Sequence, residues 1–530
     1  MIETQNLTLS FAGSILFEDV NVKFVNENCY GLIGANGAGK STFLKILSGE
    51  IEPTKGDVII EKGKRISVLR QDQFFFDEVK VLDAVLMGHK KLYETYAERN
   101  VLYSKPSLND EEGMRISELE MHYAEMDGYT IEADAATMLC DLGIEVELHD
   151  KLMKDIESGY KIRVLLAQAL FGNPDILLLD EPTNQLDYES AQWLENFLMD
   201  FKNTVIIVSH DRYFLNKVCT HIADLDFRQI RVYVGNYDFW SQSSKMAMMQ
   251  KQEQHKKGTE KIKELEEFIR RFSANASKSK QATSRKKLIE KIRPEELPVS
   301  TRRTPFIQFK PGRPCGSSIV RLKNVTHSVN GEKILNDVSF SLNKYDKVAI
   351  LSKNPLAKTL LLKILAGEIT PDSGTIEWGE TITRAYAPKD NTVFFKNDMT
   401  LLDWITQYRT TEDNQTLRGY LGRMLFSGDD VTKKVKVLSG GEKARAMFSK
   451  MMLNLANVLI FDEPTDHLDL ESITSLNDGL KSFPECIIFT SHDFELTNTV
   501  ANRIIEIGLG KMRDKHTTFE DFLGKKSGVY

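Results

Sequence analysis

Gly34-Ala35-Asn36-Gly37-Ala38-Gly39-Lys40-Ser41 is a full G-x-x-x-x-G-K-S match, and its flanks decide how this chain is read. Before it, Tyr30-Gly31-Leu32-Ile33 reads as a buried strand; after it, Thr42-Phe43-Leu44-Lys45-Ile46-Leu47 reads as a helix. Strand, glycine turn and helix start are the setting a phosphate-cradling loop requires. The glycines let backbone N–H groups close around phosphates at the positive end of the helix. Lys40 supplies a point charge to the outer phosphates of a ligand held there. The Ser41 hydroxyl is suited to Mg²⁺, and Thr42 completes the cradle.

Downstream, Ile176-Leu177-Leu178-Leu179-Asp180-Glu181 is an apolar strand ending in two carboxylates. Asp180 is expected in the metal shell and Glu181 to orient or deprotonate water. A second such strand ends at His210. The order then repeats: Arg163 lies 17 residues before Asp180 and Arg445 lies 17 before Asp462, while Asp180 to His210 and Asp462 to His492 are both 30. Equal spacings mark a duplicated domain. Opposite the first loop stands Ser352-Lys353-Asn354-Pro355-Leu356-Ala357-Lys358-Thr359, where the three glycines are gone and Pro355 has no backbone donor. Lys358, Thr359, Asp462, Glu463 and His492 remain as the parts of a degenerate second site.

The signature Leu438-Ser439-Gly440-Gly441-Glu442, followed by Asp462-Glu463-Pro464-Thr465 and Ser491-His492-Asp493, resembles an ABC ATPase. Two cassettes on one chain with a charged helical linker resemble the ABC-F family of ribosome-binding translation factors. The runs Arg70-Gln71-Asp72-Gln73, Arg163–Phe171 and Phe272–Lys278 resemble its bacterial YbiT-type branch. The resemblance implies two tandem α/β P-loop cassettes stacked head to tail, each ATP lying between one cassette's phosphate loop and the other's signature. Site one then combines Phe11, at the family's adenine-stacking position, with Gly34 to Thr42, Gln71, Asp180, Glu181, His210 and the second-half Ser439, Gly440, Gly441 and Glu442. It also implies Gln71 beside Ser41 and Asp180 in the Mg²⁺ shell, and Gln71, Glu181 and His210 as the catalytic group. Site two pairs the altered second loop with a first-half signature reading Ile156-Glu157-Ser158-Gly159-Tyr160. Val329 replaces the stacking Phe there, and Pro388 or Lys389 stands at the Gln-loop position. An ionised Glu157 about 5 Å from a terminal phosphate would be repelled by roughly 3 kcal/mol at an effective dielectric of about 20. The expectation is therefore one hydrolysing site and one degenerate site.

Composition is that of a globular protein: 530 residues, 41% apolar and 27% charged. No apolar run reaches the roughly 18 residues that span a bilayer, and Met1-Ile2-Glu3-Thr4 does not open a basic-then-apolar leader, so the cytoplasm is expected. Five dispersed cysteines with no C-x-x-C signal neither zinc nor an iron–sulfur cluster and read as buried structural thiols. A net charge of −7 argues against nucleic-acid binding by the whole surface and directs attention to local patches.

Three segments are expected: a cassette over 1–239, a helical linker over 240–316 and a second cassette over 317–530. Lys40 to Asp180 is 140 residues but Lys358 to Asp462 only 104, so the first half carries 36 extra. Val81 to Met126, broken at Lys105-Pro106-Ser107, supplies them as a projecting helical hairpin. ABC-F proteins carry there an arm that touches the ribosome. In the linker, Ile262, Leu265, Ile269 and Phe272 form a narrow helical seam, and Leu288, Ile289 and Ile292 can return against it. Between Arg270 and Arg293 nine basic residues face one acidic residue, Glu290. Arg270, Arg271, Lys278, Lys280, Arg285, Lys286 and Lys287 are the expected RNA-backbone contacts. The resemblance implies ribosomal RNA and exit-site transfer RNA as their partners, and a monomer whose two cassettes pair within one chain. The rival reading is the ATPase subunit of a transporter with separate membrane proteins, which leaves the basic-tipped linker unexplained. A DNA-repair ATPase would show very long coiled coils or zinc cysteines, and neither is present.

Overall fold

The computed structural model describes residues 1–11, 14–70, 72–184, 186, 188–272, 289, 302–409, 412–466, 468–508 and 512–524. In the first half, β1 (Ile2–Phe11) and β2 (Ser14–Phe24) form an antiparallel sheet with β4 (Lys55–Ile60), in the order β2-β1-β4. The second sheet holds β3 (Cys29–Gly34), β5 (Ile66–Val68), β6 (Ile176–Asp180), β7 (Thr204–Val208), β8 (His221–Asp226) and β9 (Gln229–Val234). Their order is β5-β6-β7-β3-β8-β9, parallel except for β9. The continuous apolar runs of β3, β6 and β7 follow from burial on both faces of a parallel sheet. Helix α1 (Lys40–Leu47) leaves β3 through the glycine loop. Gly34 pairs with Leu225, and a Cβ there would lie 2.7 Å from the Leu225 carbonyl oxygen, so only glycine lets the two strands approach this closely.

Helices α2 (Val81–Leu86), α3 (Lys90–Tyr103), α4 (Asp110–Glu125), α5 (Ile131–Asp141), α6 (Val146–His149) and α7 (Ser158–Leu170) lie between β5 and β6. The expected arm is shorter than Val81 to Met126. Val81, Ala84, Val85 and Leu86 are fully buried in the cassette core, so α2 is part of the cassette body. The projecting hairpin is α3 against α4, seamed by Leu102, Ile116 and Leu119. It runs from Lys90 to Glu125, which is 36 residues, the length of the inserted stretch. Glu120 fastens it, accepting from Arg99 Nε at 2.6 Å, Tyr129 at 2.7 Å and Tyr103 at 2.8 Å. These hydrogen bonds, Tyr129's first, hold the Glu120 carboxyl down at about 2.

Helices α8 (Tyr188–Asp200) and α9 (Arg212–Val218) complete the cassette, and α10 (Tyr237–Phe272) leaves it as a single 36-residue helix. Ile262, Leu265 and Ile269 of the expected seam lie half-buried on α10. Of the basic residues, Arg270 ends this helix exposed. The side chain of Arg271, and Lys278, Lys280, Arg285, Lys286 and Lys287, lie outside the described residues, as do Leu288 and Ile292. The expectation of a helical linker as far as 316 is corrected: residues 302–316 form no helix, and Ile307 and Phe309 are buried in the second cassette's core.

The second half repeats the first. β10 (Ser318–Val329), β11 (Glu332–Asn343) and β13 (Ser373–Trp378) form its antiparallel sheet. β12 (Lys347–Leu351), β14 (Arg384–Ala387), β15 (Val458–Asp462), β16 (Cys486–Thr490), β17 (Arg503–Glu506) and β18 (Arg513–Lys515) follow the order β14-β15-β16-β12-β17-β18. Helix α11 (Pro355–Ala366) follows β12; α12 (Leu401–Thr406), α13 (Asn414–Arg423) and α14 (Gly440–Leu453) form the helical subdomain; α15 (Leu470–Ser482), α16 (Phe494–Val500) and α17 (Phe519–Gly524) close the cassette. Four cysteines are buried as expected, whereas Cys140 on the outer face of α5 is exposed. Among the described residues, no helix is long and apolar enough to cross a membrane.

Candidate nucleotide site

The first phosphate loop is built to hold an anion. Gly37 and Gly39 adopt φ of 80° and 104°, a left-handed geometry that turns successive N–H groups inward. Gly39 caps α1 with no side-chain hydrogen bond, so the first N–H groups of the helix are left for a ligand. Lys40 is buried, with Nζ donating to the carbonyls of Gly34 at 2.8 Å and Ala35 at 3.3 Å. Burial pulls its pKa down while the charges of Glu181, Glu471 and Asp469 push it back up. Asn36, Gly37 and Ser41 face solvent; Ala35, Ala38 and Thr42 are half-buried beside them.

Asp180 ends β6 and Glu181 follows it directly. Glu181 takes φ of 50°, a left-handed geometry uncommon for a residue with a side chain, and Glu463 repeats it at 47°. The His210 backbone N–H donates to Glu181 Oε2 at 3.2 Å, and His210 Nε2 lies 3.4 Å from Oε1. Burial, followed by the neighbouring charges of Asp180 and Asp211, pushes the Glu181 carboxyl up to about 8. Burial and Lys40 push His210 down to about 4. A cation between Ser41 and Asp180 would offset the smaller, Asp180 part of the rise at Glu181, and both are hard oxygen donors of the kind Mg²⁺ takes. Gln71 and the Phe11 side chain lie outside the described residues.

The second site is built differently. Asn354 accepts from the Leu356 N–H at 2.9 Å and Pro355 takes the first helical position, so α11 starts three residues earlier, relative to its Lys, than α1 does. The segment that forms an open nest in the first cassette is wound into capped helix in the second. Lys358 Nζ is bound to Glu463 Oε1 at 2.7 Å and lies 3.4 Å from His492 Nε2. The His492 backbone N–H donates to Glu463 Oε2 at 2.8 Å. Burial pushes Glu463 up, but His492 and Lys358 outweigh it and hold the carboxyl below its usual range, opposite to Glu181. Asp462 accepts from Thr490 at 2.8 Å beneath them. Thr359, next to Lys358 on α11, is half-buried.

Ser439 caps α14 by accepting from the Glu442 N–H, and Glu442 accepts from the Ser439 N–H at 2.7 Å, a reciprocal box that leaves Gly440 and Gly441 in the first turn. Glu157, in the same position of the first half, makes no side-chain cap. Ser439 and Gly440 are exposed, as are Asn36 and Gly37 of the first phosphate loop.

The cassettes meet through elements that the motifs did not single out. Tyr213 of α9 stacks on Phe494 of α16 with centroids 4.0 Å apart, and Tyr188 packs on Phe494 and Phe519. Leu470 of the second cassette is buried in the first cassette's core. Asp469 and Glu471 beside it place negative charge near Lys40. Arg302 binds Asp224 and Glu471 together. The Asp469-Leu470-Glu471 segment follows the Asp462-Glu463 pair at a fixed distance, and an acidic, apolar, acidic triplet there was the available signal.

Two nucleotide-loop cassettes with repeated sheet order, one open phosphate site and a shared interface define a tandem P-loop ATPase of the ABC class. The ABC transporter family profile matches residues 17–184 and 335–466, and a second ABC transporter profile, for an extension segment, matches 223–309. The chain is 56% identical over 525 residues to the ABC transporter ATP-binding protein YkpA of Bacillus subtilis (strain 168), covering 99% of this chain and 97% of that protein. It is 46% identical over 527 residues to the ATP-binding protein YbiT of Escherichia coli O157:H7, covering 99% of each. ABC transporter F family member 2 of Arabidopsis thaliana is 31% identical over 541 residues, covering 99% of this chain and 79% of that protein. Among solved structures, that of the archaeal ribosome recycling factor aABCE1 with stalk protein aP1 superposes with a TM-score of 0.60 at 17% identity, covering 98% of this chain and 92% of that chain. The chain belongs to the ABC-F family of ABC ATPases, in the branch of YbiT and YkpA, and is an ATP hydrolase.

Proposed function

We propose that site one hydrolyses ATP, that site two holds little or no nucleotide, and that ATP-driven closure of the cassettes sets the occupancy of a ribosome in the cytoplasm. The observation that carries the asymmetry is the fate of the two equivalent lysines: Lys40 rests on loop carbonyls beneath an uncapped helix, whereas Lys358 is engaged by Glu463. An arriving triphosphate displaces only weak contacts from Lys40. At Lys358 it would have to break a buried ion pair. In site one Ser41 and Asp180, with Gln71, would hold Mg²⁺, which neutralises charge developing on the outer phosphates when bound. Glu181 orients the attacking water, held in place by the His210 backbone N–H, and His210 lies beside it toward the outer phosphate. Phe11 stacks the adenine, and Ser439, Gly440, Gly441 and Glu442 complete the site on closure.

Membership of the ABC-F family, the α3/α4 arm and the basic run from Arg270 to Arg293 support a ribosomal partner, the arm meeting ribosomal RNA and the linker tip meeting exit-site transfer RNA. The test is ribosome pelleting with and without ATP. Glu181→Gln should slow turnover by at least about a hundredfold and pellet with ribosomes in an ATP-dependent, salt-sensitive manner. Glu463→Gln should change turnover by less than about threefold. Equal losses at the two positions would remove the asymmetry, and co-sedimentation with membranes in place of ribosomes would favour a transporter subunit.

A further inference from the structure

We infer that Arg302 is a positioning residue that couples nucleotide occupancy of site one to the direction in which α10 leaves the first cassette. Its guanidinium joins three parts of the molecule. Nη2 donates to Asp224 Oδ1 at 2.6 Å, Nη1 lies 3.3 Å from Glu471 Oε1, and the group sits 4.5 Å from the Trp240 ring. All of these partners are buried or nearly so, and the Arg302 side chain is only 11% exposed, so the contacts act at low dielectric. Each partner leads somewhere. Asp224 pairs with Ile33, one residue before the phosphate loop, and its other oxygen accepts from Trp240 Nε1 at 3.1 Å. Trp240 is in the first turn of α10, so the base of the long helix is fixed by the same cluster. Glu471 is in the first turn of α15 in the opposite cassette, and its charge acts on Lys40.

Glu471 is paired directly with Arg302 and adds a longer-range attraction on Lys40. Phosphates bound at Lys40 would neutralise that lysine and bring negative charge toward Glu471. The carboxylate is then left with Arg302 as its favourable partner, and the pair tightens. A planar guanidinium holding two carboxylates passes a shift of one to the other, because its five donors are in a fixed fork. Trp240 moves with Asp224, and α10 moves with Trp240. Lysine, a point charge without the fork, keeps the attraction and loses much of the geometry.

The inference rests on nucleotide binding at site one and on the closing motion proposed above. Its test uses the full chain with the exposed Cys140 replaced by Ser and spin labels at Lys257→Cys on α10 and Lys436→Cys in the second cassette, both exposed positions. The interlabel distance is measured with and without a non-hydrolysable ATP analogue, beside steady-state ATPase kinetics. The parent should show an analogue-dependent change in distance. Arg302→Met should keep the ATP KM within about threefold, lower kcat about tenfold and abolish the distance change, and Arg302→Lys should restore part of it. Should Arg302→Met fail to fold, Glu471→Gln, which leaves the Arg302–Asp224 pair in place, should show the same insensitivity. A distance change that persists in the folded variants overturns this inference alone. A parent that turns over ATP with no distance change overturns it together with the closing motion.

Discussion

Lys40 and Lys358 hold the same place in two copies of one motif, and their neighbours give them opposite tasks. Lys40 has only two carbonyls to satisfy and is available to phosphate, so Lys40→Met should abolish most turnover, by at least about a hundredfold. The fold should lose no more than the roughly 0.5–1.5 kcal/mol of an ordinary hydrogen bond. Lys358 is 8% exposed and neutralises Glu463, which is 2% exposed. Lys358→Met leaves that carboxylate buried beside His492 alone and should lower stability by about 3–5 kcal/mol, with turnover nearly unchanged. Urea unfolding alongside ATPase rates would read both, and a catalytic loss at Lys358 equal to that at Lys40 would refute the division. The motif and its loss of glycines were legible in the residues. The capture of Lys358 was not, because a side-chain pair 105 positions apart leaves no pattern. The dipeptide Asn354-Pro355 did carry a signal, a cap followed by a proline at the first helical position, which marks a helix start where the first cassette has a loop.

Between α2 and α5 the chain makes an excursion that the cassette body does not need. The α3/α4 hairpin has its own apolar seam and its own polar fastening around Glu120, and α2 beneath it is held by the cassette core. Replacing residues 90–125 with a short Gly/Ser turn should therefore leave basal ATP turnover within about twofold and the unfolding transition cooperative, while any ribosome-dependent stimulation is lost. A deletion that instead collapses basal turnover would make the hairpin part of the catalytic body. The excess length of the first half was readable from motif spacing, since it needs only the register of the repeat. Its N-terminal boundary was misread because α2 is short and Lys90-Lys91 follow it after only Met87, Gly88 and His89; its burial against α5 and α7 separates it from the hairpin. In the same way, the segment 302–316 has a linker's composition but is built into the second cassette, where Ser475 Oγ donates to the Pro305 carbonyl at 2.7 Å. Sequence composition cannot report such docking.

At the scale of the whole molecule, the cassettes meet along a pseudo-symmetric face where Asp211 caps α9 and Asp493 caps α16. The charge of Glu195, itself paired with Lys217, acts on Asp211, and those of Glu495 and Arg212 act on Asp493. Burial and mutual repulsion push Asp211 up to about 7, and burial above all pushes Asp493 up to about 6. Both lie above the value near 3.9 expected in an unfolded chain. The native state therefore favours the protonated pair: its contribution is complete below about pH 4 and is lost as pH rises through 6 to 7. Asp211→Asn keeps the cap and removes the ionisation, so it should leave Tm nearly unchanged at pH 4 and raise it by about 2–4 °C at pH 8. An unaltered difference between the two pH values would dissociate this pair from the stability of the interface. The duplication made two cassettes certain from residues alone, whereas the side chains that join them come from loops whose partners lie in the other half. The 36 residues of α10 give the molecule a lever. At 1.5 Å per residue it is about 54 Å long, so a tilt of roughly 10° at its base sweeps the far end through about 9 Å. If site one steers this helix as inferred above, its length would set the gearing between hydrolysis and reach, and shortening it by whole turns would reduce the stroke without touching the chemistry.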